Sequence, residues 1–303
     1  MRCAALLALF LGALGAGCEL TEVTVADTQD VVIAEITLRT DTPTQHAVLH
    51  RTLQGDDSAR ATVEGARIEV VNAAGRIMTF LAAPDRDCID NMPTSKHPPL
   101  GSCYVSDNRN QYDIEPGQTY TLRITLADGG VLTSSTRVPA SFTLLRPAIT
   151  PCAVAAHDTF SIRWTSSPDA WVYAGEAAIA GLQDILGAQG KKIDDPLRLF
   201  GLSASSRDTT ILFPTEFGLF QRFDADLTDA LVAISRGLPA GTGAVVTIAA
   251  ADRNYVNWER GGDFNPSGAV RIPSIRGAGT GVFGSLVPHT VRIQAGASDL
   301  PGC

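Results

Sequence analysis

The sequence predicts a mainly β protein made of two tandem β-sandwich domains. Short stretches of alternating apolar and polar residues are separated by Gly, Pro, Asp and Asn, which is typical of sandwiches. A cluster of Pro147, Pro151 and Cys152 interrupts the pattern near the middle of the chain. The predicted units are an export signal at 1–17, an N-terminal sandwich at 18–146 and a C-terminal sandwich at 147–303.

The N-terminal domain is predicted to be of immunoglobulin or transthyretin type because its strand-like stretches follow one another at short spacing. The turn sequences Ala74-Gly75, Glu115-Pro116-Gly117 and Asp128-Gly129-Gly130 lie between several of these stretches. The predicted strands are 20–25, 31–38, 47–51, 66–71, 77–81, 120–126 and 131–139.

The C-terminal domain is predicted to be fibronectin-like, because a strand with a Trp (160–164) precedes a strand with a Tyr (171–174). Helical spacing of apolar residues then predicts a short helical insertion. The remaining predictions are helices at 177–186, 227–234 (with a strand at 230–234 as the alternative) and 252–260, a strand at 245–250, and a tight extended connection at 277–284.

The N-terminus has the features of a lipoprotein export signal. Met1-Arg2 is followed by the apolar run 4–14, by three small residues and by Cys18. The run is too short for a permanent transmembrane helix and suits a cleaved signal. We expect acyl chains, palmitate among them, on Cys18, which anchor the chain to a membrane. Leu14 stands one position farther from the cysteine than the usual pattern, and an ordinary signal that leaves a soluble protein is the alternative.

Glu19 follows Cys18, whereas Asp at that position is the inner-membrane retention signal of the best-known bacteria. We therefore expect an outer-membrane location.

Four cysteines remain once Cys3 and Cys18 are accounted for. An even number suits an oxidising compartment and disulfide formation. Cys88 and Cys103 bracket one polar loop, so the predicted pairs are 88–103 and 152–303. Free thiols or a zinc site are the alternatives, but no CxxC or HxxxH spacing supports zinc.

The formal net charge of −8 and the pI near 5.1 argue against nucleic acid as a partner. The sequence predicts no cofactor and no metal.

Several segments, in this order, resemble an uncharacterised outer-membrane lipoprotein family. They are the lipoprotein signal that ends at Cys18 (the lipobox), VVIAEITLRT, VEGARIEVVNAAGR, YDIEPGQTYTLRITLADGGVLTSSTRVP and the Gly-rich FNPSGAVRIPSIRGAGTGVFGS. The family is catalogued as domain of unknown function 4249. The resemblance implies an outer-membrane location, often beside a TonB-dependent receptor, and it carries over no catalytic residues.

Three sets of residues are weak candidates for chemistry. His46 and His50 would share one face of a strand. Ser285 near His289 lacks the GxSxG sequence around a nucleophilic serine. A calcium loop is the third candidate, and its ligands would be Asp85, Asp87, Asp90 and Asn91.

Asn254, Tyr255, Trp258 and Arg260 are the candidate binding residues, because Trp, Tyr and Arg dominate recognition surfaces. The alternative is that these aromatic residues belong to the core. We also expect loops in 176–210 and 252–265 to carry binding, since both ranges interrupt the strand pattern. The expected function is a non-catalytic binding or accessory protein. The alternatives are a surface hydrolase acting on an extracellular polymer and a purely structural envelope protein.

Overall fold

A computed structural model of the 303-residue chain describes residues 30–52, 62–88, 101–187, 193–216, 225–261 and 271–303. The predicted signal 1–17, Cys18 and the predicted strand 20–25 lie outside these ranges. None of the helices within them has the length and apolarity needed to span a bilayer.

The described ranges form sixteen strands, three helices and one 3₁₀ turn, Asp85–Asp87. This confirms the mainly β prediction. The strands are β1 Val32–Arg39, β2 His46–Arg51, β3 Arg67–Val71, β4 Ile77–Ala83, β5 Ser102–Ser106, β6 Thr119–Thr125, β7 Val131–Arg137, β8 Leu144–Arg146, β9 Cys152–Val154, β10 Phe160–Trp164, β11 Val172–Ala180, β12 Leu197–Leu202, β13 Thr210–Phe213, β14 Gly243–Ala251, β15 Arg276–Gly277 and β16 Gly279–Ala295. The helices are α1 Leu182–Gly187, α2 Ala225–Ile234 and α3 Arg253–Arg260.

The strands form one large sheet and one small sheet. The large sheet has the order β12-β11-β14-β16-β1-β2-β5-β4-β3-β6-β7-β15, and β9 also pairs with β16. The small sheet has the order β13-β10-β8. Most neighbours are antiparallel, as expected where hairpin turns connect strands.

A parallel pairing of β1 with β16 joins the first described strand to the last. Val32 pairs with Gly279 and Arg39 with Leu286. Strands of the two predicted domains are therefore hydrogen-bonded neighbours, which the prediction of tandem sandwiches did not anticipate. The boundary between residues 146 and 147 stays a prediction.

Alternation along the strands separates a buried face from an opposite face. In β1, Val32, Ala34, Ile36 and Leu38 are buried, and the residues between them are partly exposed. Both sheets contribute to the main core, which includes residues from each half of the chain. A smaller apolar cluster lies on the opposite face of the large sheet, where α3 packs against β11, β14 and β16.

The two predicted disulfides are confirmed. Cys88 is bonded to Cys103, with a sequence separation of 15, and Cys152 to Cys303, with a separation of 151. In the chain-entropy model, closing a loop of that second length lowers the conformational entropy of the unfolded chain and so stabilises the folded protein by about 5 kcal/mol. The second bridge also lies where Cys152 pairs with Ile293 of β16, so it fastens the C-terminus to the sheet.

Two sequence predictions for the second half are wrong. The predicted helix 177–186 is wrong in its first part, because residues 177–180 are the end of strand β11; its second part is helix α1, Leu182–Gly187. Pairing of β11 with both β12 and β14 outweighs the helical spacing of its apolar residues. The segment 277–284, predicted as a connection, belongs mainly to β16, whose glycines allow close contact with β1. The predicted helix at 227–234 and the short helix at 252–260 are confirmed as α2 and α3.

We predict that Gly281→Ala strongly destabilises the protein. Gly281 has φ +132°, and a Cβ there would overlap the carbonyl oxygen of Ala34 in β1. Backbone strain and displacement of β1 together should cost about 3–5 kcal/mol. The free energy of unfolding in denaturant measures the loss. Gly302→Ala is the control, because nothing lies within 4 Å of a Cβ at Gly302. Equal stability of the two variants would contradict the role given to this contact.

Candidate functional site

The prediction that the aromatic residues of α3 form an exposed recognition face is wrong. Tyr255 is 9% exposed and Trp258 is 7% exposed, and both pack toward the large sheet. The guanidinium of Arg271 covers the Trp258 ring at 4.8 Å from its centroid. Asn254 donates hydrogen bonds through Nδ2 to backbone carbonyls, and Arg260 alone of the four predicted residues is exposed. The core alternative considered from the sequence is therefore correct.

The buried carboxylate of Asp252 fixes the N-terminus of α3 at the large sheet. Asp252 caps α3 and accepts hydrogen bonds from the backbone N–H groups of Asn254 and Tyr255 at 3.2 and 3.0 Å. It also accepts from Ser285 N at 3.0 Å and Thr136 Oγ1 at 2.8 Å. Burial raises the pKa of this carboxyl above its ordinary value, and the four hydrogen bonds act against that shift.

Ser285 is a structural residue of this network. It is fully buried, and its Oγ lies 2.9 Å from Thr136 Oγ1. His289 faces the same side of β16 four residues later, about 13 Å away at the usual strand rise. Its ring instead contacts Phe142 edge-on, with centroids 4.5 Å apart. The structure does not bring Ser285 and His289 together.

The structure does not bring the predicted metal ligands together either. His46 and His50 lie four residues apart on β2, about 13 Å along the strand, which is too far for a shared ion. His50 Nε2 lies 3.5 Å from Glu35 Oε1. Asp85 and Asp87 belong to the 3₁₀ turn, while Asp90 and Asn91 lie outside the described residues. Within the ranges given above, no three His, Cys, Asp or Glu side chains form a group suited to a metal.

A pocket between the large and small sheets is the best candidate for a functional site. We call it the inter-sheet pocket, and its volume is about 590 Å³. Pockets of this size suit small organic ligands. The large sheet contributes Tyr173, Ala174, Gly175, Gly201, Leu202 and Ile248; the small sheet and its flanks contribute Trp164, Thr209, Thr210, Ile211 and Glu216; and the rim loop contributes Ser203, Ala204, Arg207 and Asp208.

Two facing glycines help to keep the pocket open. Gly175 of β11 pairs directly with Gly201 of β12, and Ile248 of β14 is the next residue across. Strand residues in register share one face of a sheet, so both glycines lie on the pocket face. A Cβ at Gly201 would meet nothing within 4 Å. The missing side chains leave space where other strand residues would fill the sandwich.

Trp164 and Tyr173 form the aromatic end of the pocket. Their rings meet edge to face, with centroids 5.2 Å apart. The Tyr173 hydroxyl accepts a hydrogen bond of 2.7 Å from Ser167 N. Trp164 is only 4% exposed, and none of the described residues accepts a hydrogen bond from its Nε1–H. A buried donor without an acceptor is costly, so this indole N–H is a local cost to the stability of the fold.

The rim loop, residues 203–208, is held by its own hydrogen bonds. Ser203 Oγ accepts from Tyr173 N at 2.9 Å and donates to Ser205 O at 2.9 Å. Asp208 accepts from Ser205 N at 2.8 Å and from Ser205 Oγ at 3.3 Å. The exposed Arg260 of α3 reaches the Ser203 carbonyl at 3.5 Å. Part of the rim is thus fixed before any ligand arrives.

Three charged side chains line the mouth of the pocket. Arg207 is exposed. Asp208 is engaged within the rim loop, and Glu216 Oε2 accepts a hydrogen bond of 2.6 Å from Leu212 N. Charges of both signs therefore lie at the opening, and the apolar walls behind them suit the apolar body of a small molecule.

Sequence reasoning located only part of this pocket. The predicted binding range 176–210 contains Gly201 and the whole rim loop. Trp164 and Tyr173 were assigned to strands, and no local pattern marks them as neighbours of Gly201. The one available signal was glycine inside apolar stretches, as at Gly175 and Gly201, because glycine in a strand indicates a bulge or a close approach of another group.

Comparison with known proteins identifies the first half of the chain. Residues 21–169 match the sequence model of the family described as Domain of unknown function (DUF4249). The predicted resemblance is confirmed over this range, and the late Gly-rich segment lies outside it. The DUF4249 match includes Trp164 and ends before Tyr173, so most of the inter-sheet pocket comes from the rest of the chain.

Solved structures with partial similarity contain fibronectin-like domains. The FN1–FN3 domains of chicken CNTN1 share 11% identity over 86% of this chain and 66% of that chain, with a TM-score of 0.24. The fibronectin(III)-like modules of Clostridium thermocellum CbhA share 12% identity over 87% of this chain and 91% of that chain, with a TM-score of 0.19. The chain therefore spans just under two thirds of the chicken structure. No curated protein matches the chain.

We predict that Trp258→Ala lowers the free energy of unfolding by about 3–5 kcal/mol, because it empties a buried aromatic site beneath Arg271. Trp171→Ala is a matched control. Trp171 is 47% exposed and contacts the Arg253 guanidinium at 5.2 Å, so its loss should cost about 1 kcal/mol or less. Thermal or denaturant unfolding of both variants measures the difference. A Trp258→Ala protein as stable as the control would restore the exposed-face interpretation.

Proposed function

We propose that this protein is a lipoprotein of the outer membrane, anchored through Cys18, that binds a ligand in the inter-sheet pocket. In this proposal it acts as a binding or accessory protein, in keeping with the receptor-associated role that the family resemblance implies. The observation that carries the binding role is the pocket itself, a space of about 590 Å³ between the two sheets that apolar and aromatic side chains line.

The construction of the pocket supports binding. Its inner walls are apolar side chains of both sheets, which can bury the body of a small molecule. Strands hold Trp164 and Tyr173 rigidly, and the loop that forms the rim is braced by hydrogen bonds. A preorganised site loses little conformational entropy when it binds.

The position of the pocket is compatible with an anchor at Cys18. The described chain enters the sheet at Val32, which pairs with Gly279 of β16. Tyr173 is in register with Ala250, and Ala250 with Val287. From Gly279 to Val287 the strand rises roughly 25 Å. The pocket therefore lies beside the middle of β16, roughly 25 Å along the strand from the pairing of Val32 with Gly279.

A surface hydrolase is the second candidate, because two carboxylates, Asp208 and Glu216, line the same pocket. Two carboxylates within a cleft are the usual catalytic groups of enzymes that cleave glycosidic bonds. Both groups here already accept hydrogen bonds from the backbone that shapes the pocket, which favours a structural role. Turnover of a bound saccharide that Glu216→Gln abolishes would support the hydrolase instead.

We predict that Cys18→Ser releases the protein from membranes. Serine cannot form the thioether that carries the proposed diacylglycerol, so the anchor is lost. Membranes of the producing cell are washed in high salt, and the protein is followed in both fractions. Cys3→Ser is the matched control, because Cys3 lies inside the predicted signal, and this variant should stay in the membrane fraction. A Cys18→Ser protein that also stays there would exclude the proposed anchor.

We predict that filling the inter-sheet pocket abolishes small-molecule binding. Gly201→Phe places a ring in the open space beside Gly175. Val245→Phe is the control, because Val245 is 42% exposed and lies on the opposite face of the same sheet. Saturation-transfer NMR with a library of small aromatic and alicyclic compounds should detect binding to the wild type and to Val245→Phe, with loss of signal in Gly201→Phe. Absence of binding to the wild-type protein would rule out the pocket as a ligand site.

A further inference from the structure

We propose that the inter-sheet pocket binds a saccharide, which Arg207, Thr209 and Glu216 hold at the mouth. This inference rests on the proposed binding function and adds the chemical class of the ligand. It is carried by the polar side chains at the opening, which offer both hydrogen-bond donors and hydrogen-bond acceptors to a ligand.

The part of the pocket lining that a ligand can reach is mainly polar. Trp164, Tyr173 and Ile248 form the deep wall, and they expose only 4%, 2% and 1% of their surface. More accessible residues lie at the mouth, among them Gly201, Ser203, Ala204, Arg207, Asp208, Thr209, Ile211 and Glu216. A ligand therefore meets hydroxyl, guanidinium and carboxyl groups beside a small apolar area.

Arg207 supplies hydrogen-bond donors. Its backbone N–H donates to Ser205 Oγ at 3.2 Å, which holds the residue within the rim loop. Its side chain is exposed, and the guanidinium has no hydrogen bond or ion pair with the residues that the structure describes. A guanidinium donates and does not accept, so the matching groups of a ligand are acceptor oxygens.

Glu216 and Thr209 supply acceptors. Glu216 uses Oε2 to accept from Leu212 N at 2.6 Å, and its Oε1 has no partner among the described residues. The carbonyl of Thr209 accepts from Trp164 N at 3.0 Å. Alternation then places the Thr209 side chain on the same side as Ile211, which packs toward the space between the sheets. The Thr209 hydroxyl can donate as well as accept.

A saccharide matches this set because each of its hydroxyl groups both donates and accepts. Hydroxyls of one sugar ring can accept from Arg207 and donate to Glu216 at the same time. The C–H face of the ring is apolar and can lie against Gly201, where a Cβ would meet nothing within 4 Å, and against Ile211. The volume of about 590 Å³ lies in the range of small-ligand pockets and accommodates a mono- or disaccharide.

Titration with a panel of methyl glycosides tests this class. The panel contains the α and β methyl glycosides of glucose, galactose, mannose, xylose and N-acetylglucosamine. Cyclohexanol is the control for a ring with a single hydroxyl, and leucine is the control for a zwitterion, which also offers donors and acceptors. Each compound is titrated into the full-length protein and followed by saturation-transfer NMR. At least one glycoside should bind about tenfold more tightly than either control compound.

Variants of the mouth test the assigned contacts with that glycoside. Arg207→Ala should weaken its binding by about tenfold, and Thr209→Val should weaken it by a smaller factor, because each removes a polar contact. Arg123→Ala is the matched control, because Arg123 is exposed on β6 in the other half of the chain, and its affinity should be unchanged. Thermal unfolding verifies that each variant is folded. Unchanged affinity in both Arg207→Ala and Thr209→Val would overturn the assigned contacts.

The outcomes separate this inference from the proposed function. If no glycoside binds, or if cyclohexanol or leucine binds more tightly than every glycoside, the saccharide class is wrong. The binding function still stands in that case when library compounds occupy the pocket of the wild type. Glycoside binding that persists in Gly201→Phe would place the sugar outside the pocket and overturn the inference. Hydrolysis of a bound glycoside would support the ligand class and contradict the non-catalytic function.

Discussion

The parallel pairing of β1 with β16 is the constraint on which the rest of the structure depends. It joins the β1–β2–β5–β4 side of the large sheet to the β14–β11–β12 side. The close approach requires glycine in β16, since a Cβ at Gly279 or Gly281 would strike carbonyl oxygens of β1. The floor of the inter-sheet pocket lies on β11, β12 and β14, so this strand pairing helps to set its position relative to the N-terminal half.

One face of the large sheet has two different polar environments. On one face, Asp252 fixes α3 and, through Thr136 and Ser285, links β7 to β16 with a buried polar network. Such a network is costly to desolvate and is stable only when its groups are paired, as those of Asp252 are. On the same face, farther along β14 and β16, the inter-sheet pocket opens beside Trp164, whose buried indole N–H has no acceptor among the described residues. The contrast between a satisfied network and an unsatisfied donor is what distinguishes the pocket from the core.

Much of the fold could be predicted from local patterns, and the pocket could not. Alternation identified β1, β6 and β7 because each buries one side chain in two, and the spacing of four cysteines identified both disulfides. The pattern failed at β16, where glycines and buried residues replace alternation because partners lie on both edges and α3 covers one face. It also misassigned Trp258, because a short helix with aromatic and charged residues has the same composition whether its aromatic face is exposed or buried. The pocket depends on how β10, β11 and β12 are aligned with their neighbours, and no local segment of the sequence determines the register between distant strands.

The pairing of β1 with β16 also has a consequence for how the chain reaches its native state. Synthesis proceeds from the N-terminus, so β1 exists long before β16 has been made. Until β16 arrives, one edge of β1 has unpaired backbone groups, and an open edge of this kind is a template for wrong pairing between chains. β16 can pair with β14 within the C-terminal half, and the large sheet is complete only when this strand also pairs with β1. Conditions that delay the C-terminal segment should therefore promote aggregation of newly made chains more than they weaken the finished protein.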